Sequence, residues 1–365
     1  MAKVKQKMYA KEGTAQMPGG EVPFWGYASE VGKPPRLPGP LVEVCAGDSV
    51  DFELVNELSE PVSLVFPGQT DVKVPGKRRK CKVTPSRCRP RCRDAKKIPA
   101  RRRRRRRLRR CRSRSHSRKV DPERQNERMI SLTRQLEPGQ KRTVTYRVRT
   151  RKPGVYLYHS GSNPATQVQM GLYGVLVVRP RGFDDPASPN YRTAYGEGTR
   201  SEYDVEKIMV LGEVDSRWHE AVAGGDTDEH RDFRPDYWLI NGRSFPHCAE
   251  DADGSTQPES AAVQCTAGQR VLLRLVNAGY LHHTIYLGGL RGRVVGWMMS
   301  PLALPGKDAT YEKLGITLGA GQTADVILTP ESPGKYMIHA REYSALMNEE
   351  QFGGGMMTRL TVGPA

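Results

Sequence analysis

Gly47–Asn56 reads GDSVDFELVN, and Gly268–Asn277 reads GQRVLLRLVN. In the first stretch Val50, Phe52 and Leu54 fall on one side of an extended chain, with Asp51 and Glu53 on the other. That is the period-2 pattern of a half-buried strand. Two more matched blocks follow in the same order. LEPGQ at Leu136–Gln140 answers LGAGQ at Leu318–Gln322, and PGVYLYH at Pro153–His159 answers PGKYMIH at Pro333–His339. Each copy closes on a Gly-rich entry to a strand, Met170–Val178 and Gly353–Val362. An ordered repeat of this kind marks a duplicated structural unit.

Other β-rich runs lie between Gly/Pro turns at Thr143–Val148, Val155–Tyr158, Tyr173–Val178, Val271–Val276 and Ala324–Leu328. Helical periodicity is nearly absent, and short helices are expected only at Pro164–Gly171 and Ser216–Ala223. The reading is all-β, two β-sandwiches in tandem. Domain 1 is expected over residues 1–180 and domain 2 over 200–365, with the boundary in the Pro-, Gly- and Asp-rich stretch Arg179–Glu202.

The copies differ in length for one reason. Asn56 to His159 spans 103 positions, whereas Asn277 to His339 spans 62. The segment Lys77–Lys119 accounts for the excess and reads as an insertion into domain 1. It holds 24 of the 58 basic residues and one of the 40 acidic ones. The remaining 34 basic and 39 acidic side chains make the rest of the protein mildly acidic. The net charge of +18 therefore describes the insertion and not the fold. An Arg-rich arm of this kind suits sequence-blind, salt-sensitive binding to nucleic acid. It lacks interleaved aromatics for base stacking. A solvated, disordered insertion looping out between two strands is the plainer expectation, and a stretch translated in the wrong frame gives the same composition. Cys81, Cys88, Cys92 and Cys111 lie inside it with no firm zinc spacing. Outside it only Cys45, Cys248 and Cys265 remain, too few for a disulfide framework. Few cysteines, no signal-peptide pattern and no apolar run of membrane length suggest a cytoplasmic protein without a membrane partner.

The segments PGPLVEVCAGDSVDFELVNEL, YLYHSGSNPATQVQMGLYGVLVV, DYWLINGRSFP, RVLLRLVNAGYLHHTIYLGG and PGKYMIHAREYSALMNEEQFGGGMMTRLTV resemble those of the multicopper oxidase family. The resemblance covers nearly everything outside Lys77–Lys119. It implies two cupredoxin-like Greek-key β-sandwich domains, copper as cofactor, and oxidoreductase chemistry. By analogy it also implies a homo-oligomer, a trimer in two-domain members.

The family's ligand motifs map onto named positions. Where the first His-x-His should stand, the chain has Val65 and Pro67. The second pair is represented by His159, followed by Ser160 and Gly161. The third motif is occupied by His283, Tyr286 and Gly288. The last, with a Cys between two His, reads His339-Ala340-Arg341, with Ala345 and Glu350 at the further ligand positions. Of twelve expected ligands the resemblance keeps three: His159, His283 and His339. The chain has 8 histidines and no His-x-His pair.

The chemistry follows from that inventory. A blue copper centre needs a thiolate with two imidazoles, and Ala340 offers no thiolate. On a strand, His-x-His aims two imidazoles at one face. Without such pairs, four-electron reduction of dioxygen is not expected. The resemblance leaves a copper site of reduced stoichiometry, in which His159 and His339 serve one site across a domain interface. The alternatives are a non-catalytic cupredoxin scaffold whose histidines are merely hydrogen-bonded, and a nucleic-acid-associated protein acting through the basic segment. The Met298–Met299 and Met356–Met357 pairs read as strand packing. The acidic stretch Glu250–Gly254 reads as a solvated turn.

Overall fold

Strand pairing repeats between the halves residue for residue. The computed structural model describes residues 1–74, 131–140, 143–226, 232–250 and 256–365. The Lys77–Lys119 segment and most of the Glu250–Gly254 stretch lie outside these residues. The first half runs β1 (Lys3–Met17), β2 (Gly20–Ala28), β3 (Val42–Cys45), β4 (Ser49–Asn56), β5 (Val72–Lys73), β6 (Val144–Arg149) and β7 (Gly154–His159), then α1 (Pro164–Gln169) and β8 (Tyr173–Arg179). The second half starts with β9 (Val205–Val214), α2 (Ser216–Ala223), β10 (Tyr237–Ile240), β11 (Val263–Thr266), β12 (Val271–Asn277), β13 (His283–Leu287) and β14 (Gly292–Trp297). Short ribbons follow at β15 (Ser300–Pro301), β16 (Ala303–Leu304), β17 (Lys307–Asp308) and β18 (Tyr311–Lys313). The chain closes with β19 (Gly315–Leu318), β20 (Thr323–Leu328), β21 (Gly334–Ala340), β22 (Met347–Asn348), β23 (Gln351–Phe352) and β24 (Met357–Gly363).

In the first half β4 runs parallel to β1 and antiparallel to β6, and β8 runs parallel to β3 and antiparallel to β7. In the second, β12 runs parallel to β9 and antiparallel to β20, and β24 runs parallel to β11 and antiparallel to β21. Side chains repeat with the ladders. Asn56 Nδ2 donates to the Glu60 and Leu136 carbonyls at 2.7 and 3.1 Å, and its Oδ1 accepts from Leu58 N. Asn277 Nδ2 donates to Leu281 and Leu318 carbonyls at 2.7 and 3.1 Å, and its Oδ1 accepts from Gly279 N. Tyr156 and Tyr336 each donate a hydroxyl to the carbonyl four residues back, at 2.8 and 2.9 Å. The expected all-β, cupredoxin-like fold is the fold observed, and both short helices form where they were expected.

Each half has its own core, around Phe52, Phe66, Tyr146 and Tyr158 in the first and Leu211, Val271, Leu275 and Val326 in the second. A third core fuses them. Tyr156, Tyr158, Leu176 and Val178 point into the first sandwich, while Val155, Leu157, Val175 and Val177 point the other way. The outward set meets Val210, Val214, Tyr237 and Leu239 of β9 and β10. Their neighbours Met209, Leu211, Trp238 and Ile240 enter the second core. Strands β7, β8 and β10, and β9 from Ile208 to Leu211, are therefore apolar on both faces, which is why these stretches run hydrophobic without alternation.

Two local expectations change. Asp51 was placed on the solvent side of β4, yet it is buried. Arg147 grips it bidentately at 2.6 and 2.9 Å and Lys3 adds a third contact at 3.1 Å. Met298 and Met299 do not pack within a strand. They form the turn between β14 and β15, with φ of 46° and 63°. Met299 instead packs against the first-half core beside Gly68, where a Cβ would collide with its sulfur. The start of the chain, to which no element was assigned from the sequence, forms the longest strand among the described residues, β1.

Candidate functional site

His159 and His339 occupy matching places at the ends of β7 and β21. Each ring is fixed in the same way: Nδ1 lies 2.8 Å from Ser160 O and 2.7 Å from Ala340 O, respectively. A carbonyl can only accept, so Nδ1 carries the proton and Nε2 presents its lone pair. That is the tautomer a metal-binding imidazole needs. Burial pushes the His159 imidazole below its ordinary pKa, and the Ser160 carbonyl opposes this.

The residues opposite them matter as much. Val65 pairs with His159 by a backbone bridge, its N donating to His159 O at 2.9 Å. Tyr286 pairs with His339 across β13 and β21, with ring centroids 5.3 Å apart. Directly opposed residues on neighbouring strands have Cβ atoms roughly 4.5–5.5 Å apart. Val65 and Tyr286 are the positions at which the resemblance expects further histidines. Each retained imidazole thus faces a side chain without a nitrogen donor. Ala340, where a thiolate was expected, is fully buried.

His283 is placed differently. It begins β13, buried, with Nε2 2.9 Å from Glu213 Oε2. Glu213 is buried in β9 and also accepts the backbone N–H groups of Tyr280 and Leu281. The carboxylate thus takes three donors, a set that satisfies a buried charge. Nδ1 of His283 is buried, with no hydrogen-bond partner among the described residues. Its neighbour His282 is exposed. Glu213 escaped the sequence reading, although a lone acid inside the apolar run IMVLGEV is a usable signal.

No hydrogen bond or ring contact joins His159, His283 and His339 to one another. Among the described residues no group of three or more His, Cys, Asp and Glu side chains is arranged to hold a metal. Cys45, Cys248 and Cys265 are unpaired thiols. Burial raises the pKa of Cys248 to about 12, and its sulfur donates to Met357 O at 2.8 Å. A thiol so protonated is a poor metal ligand. The described residues of one chain therefore do not fit a blue copper or a trinuclear centre.

The fold defines a class, tandem cupredoxin-like domains. Residues 214–361 match the family model described as multicopper oxidase. Laccase-12 of Arabidopsis thaliana is 26% identical over 221 residues, 58% of this chain and 34% of its own. The chain thus spans about a third of the length of that curated relative. Among solved structures, a blue copper oxidase from Nitrosomonas europaea superposes with TM-score 0.64 at 19% identity, covering 99% of this chain and 86% of its own. A copper nitrite reductase from the same organism superposes with TM-score 0.61 at 18% identity, covering 99% and 94%. No described helix is long and apolar enough to cross a membrane.

Proposed function

We propose that this protein is a multicopper-oxidase-type protein with degenerate copper centres, binding copper at reduced stoichiometry through His159 and His339, and not reducing dioxygen by four electrons. The observation that carries the reading is the pairing of each ligand-ready imidazole with a non-donor, Val65 or Tyr286. Copper, when bound, supplies one-electron redox chemistry. The chain's own part is to hold Nε2 of each histidine free by tying Nδ1 to a carbonyl. A homo-oligomer, a trimer by family analogy, in which His339 of a second copy joins His159 in one site, belongs to this reading. The division proposed at residues 180–200 is supported by sheet pairing, since among the described residues no sheet joins a strand ending by Arg179 to one starting from Val205.

A second reading, a non-catalytic cupredoxin scaffold, is favoured by His283. Its Nε2 is held by Glu213 instead of being open to a ligand. Nucleic-acid binding through Lys77–Lys119 rests on residues outside those described, and cytoplasmic residence rests on the sequence alone. Metal analysis after copper reconstitution separates the first two readings. Copper that is retained by the wild-type protein and lost in both His159→Ala and His339→Ala supports the copper reading. Equal retention in both variants refutes it, and no retention at all leaves the scaffold.

A further inference from the structure

The third core has an opening on one side. Between the Pro38–Glu43 segment, β8 and β9 lies a cleft of about 240 Å³. It is lined by none of the three candidate histidines. Its apolar wall is Pro38, Leu41, Val175, Ile208 and Val210. Three carboxylates also reach it, and each is paired with an arginine. Glu43 and Glu206 are held by Arg179 at 2.7 and 2.6 Å, and Glu259 by Arg36 at 2.6 Å.

Lys207 is the exception. It is half-buried in the cleft, and among the described residues its Nζ donates only to the Ser260 carbonyl, at 3.2 Å. It forms no ion pair among the described residues. An ammonium has three donors, so two remain uncommitted. Burial lowers its pKa, with Glu259 opposing as the smaller effect. The wall around it is rigid. Asn241 donates to the Ile208 carbonyl at 3.0 Å and accepts from Val210 N at 2.8 Å. Its Nδ2 shares the Ser260 carbonyl with Lys207.

An under-satisfied cation beside an apolar wall, in a pre-formed cleft, is the usual grammar of a small-ligand site. Its volume falls below the roughly 300–1,000 Å³ of drug-sized pockets, so the ligand is no larger than one ring with one charged group. We propose that this cleft binds a small amphipathic monoanion, a carboxylate on an apolar body, with Lys207 supplying the counter-charge.

Titration calorimetry of the full chain with sodium benzoate tests this, with benzamide and inorganic phosphate as comparison probes. Benzoate is expected to bind saturably, and benzamide, which lacks the charge, and phosphate, which lacks the apolar body, each at least about tenfold more weakly. Lys207→Met is expected to lose benzoate by about the same factor, and Lys207→Arg to retain it. Leu41→Trp, at the exposed rim, is expected to block the cleft, and it decides the matter if Lys207→Met fails to fold. No saturable benzoate binding, benzamide or phosphate binding as tight as benzoate, or benzoate binding unchanged in Lys207→Met or Leu41→Trp, each overturns the proposal.

Discussion

His219 is expected to make this protein acid-sensitive in a defined window. It lies on α2, fully enclosed, with Nδ1 2.8 Å from the Pro23 carbonyl of β2 and the Trp218 ring 5.7 Å away. Burial lowers its pKa from 6.5 to about 4, with the Pro23 carbonyl and Asp215 opposing. In the unfolded chain the imidazole takes up a proton near pH 6.5, whereas in the folded protein it stays neutral until about pH 4. Between those values the unfolded state binds more protons, so stability rises with pH. The contribution is complete above pH 6.5 and is lost as pH falls toward 4. At 1.36 kcal/mol per unit, the loss by pH 4 is about 3 kcal/mol. His219→Gln keeps a donor for Pro23 O but cannot titrate. Urea unfolding at intervals from pH 7.5 to pH 4 should therefore show a steeper decline for wild type than for the variant, by about 3 kcal/mol over the range. The comparison cancels other groups, and Asp51, with a pKa near 2, titrates below the window. Parallel pH profiles for the two proteins would refute the reasoning.

Other perturbations test other parts of the structure. Glu213→Leu removes the acceptor of three donors and is expected to cost about 3–5 kcal/mol in denaturant unfolding; a loss under 1 kcal/mol would show that His283 does not depend on it. Asn56→Ala and Asn277→Ala break equivalent hydrogen-bond sets, so each should destabilise by a similar amount, about 1–3 kcal/mol for every buried group stranded. A large cost in one half alone contradicts the duplicated geometry. Val65→His and Tyr286→His each place a second imidazole opposite a retained one. Copper titration should show at least about tenfold tighter binding in each, as expected when a site gains a nitrogen ligand. Unchanged affinity would mean that His159 or His339 is not at a copper site.

The fold was legible where the two copies quote each other. The strands at Ser49–Asn56 and Val271–Asn277, and the histidine-ended β7 and β21, sit in repeated blocks whose register the structure reproduces. β1 was not legible because Lys3, Lys5, Lys7 and Lys11 break up its apolar positions, although it lies between β2 and β4 in the sheet. Asp51 was misplaced because alternation reports which way a side chain points and not whether an arginine covers it. The third core could not be read either, since a continuous apolar strand does not say what lies against its second face. For the site, the three histidines came from motif positions, but their tautomers and their opposite neighbours needed strand register. Glu213 and Lys207 depend on long-range neighbours that no local pattern encodes.

The most direct test of the central claim is X-ray absorption at the copper edge on the full-length, copper-reconstituted protein, with the metal counted on the same sample. The account expects no more than one copper per chain, ligated by nitrogen and oxygen only. Three or more coppers per chain, or a sulfur ligand on any of them, would contradict it.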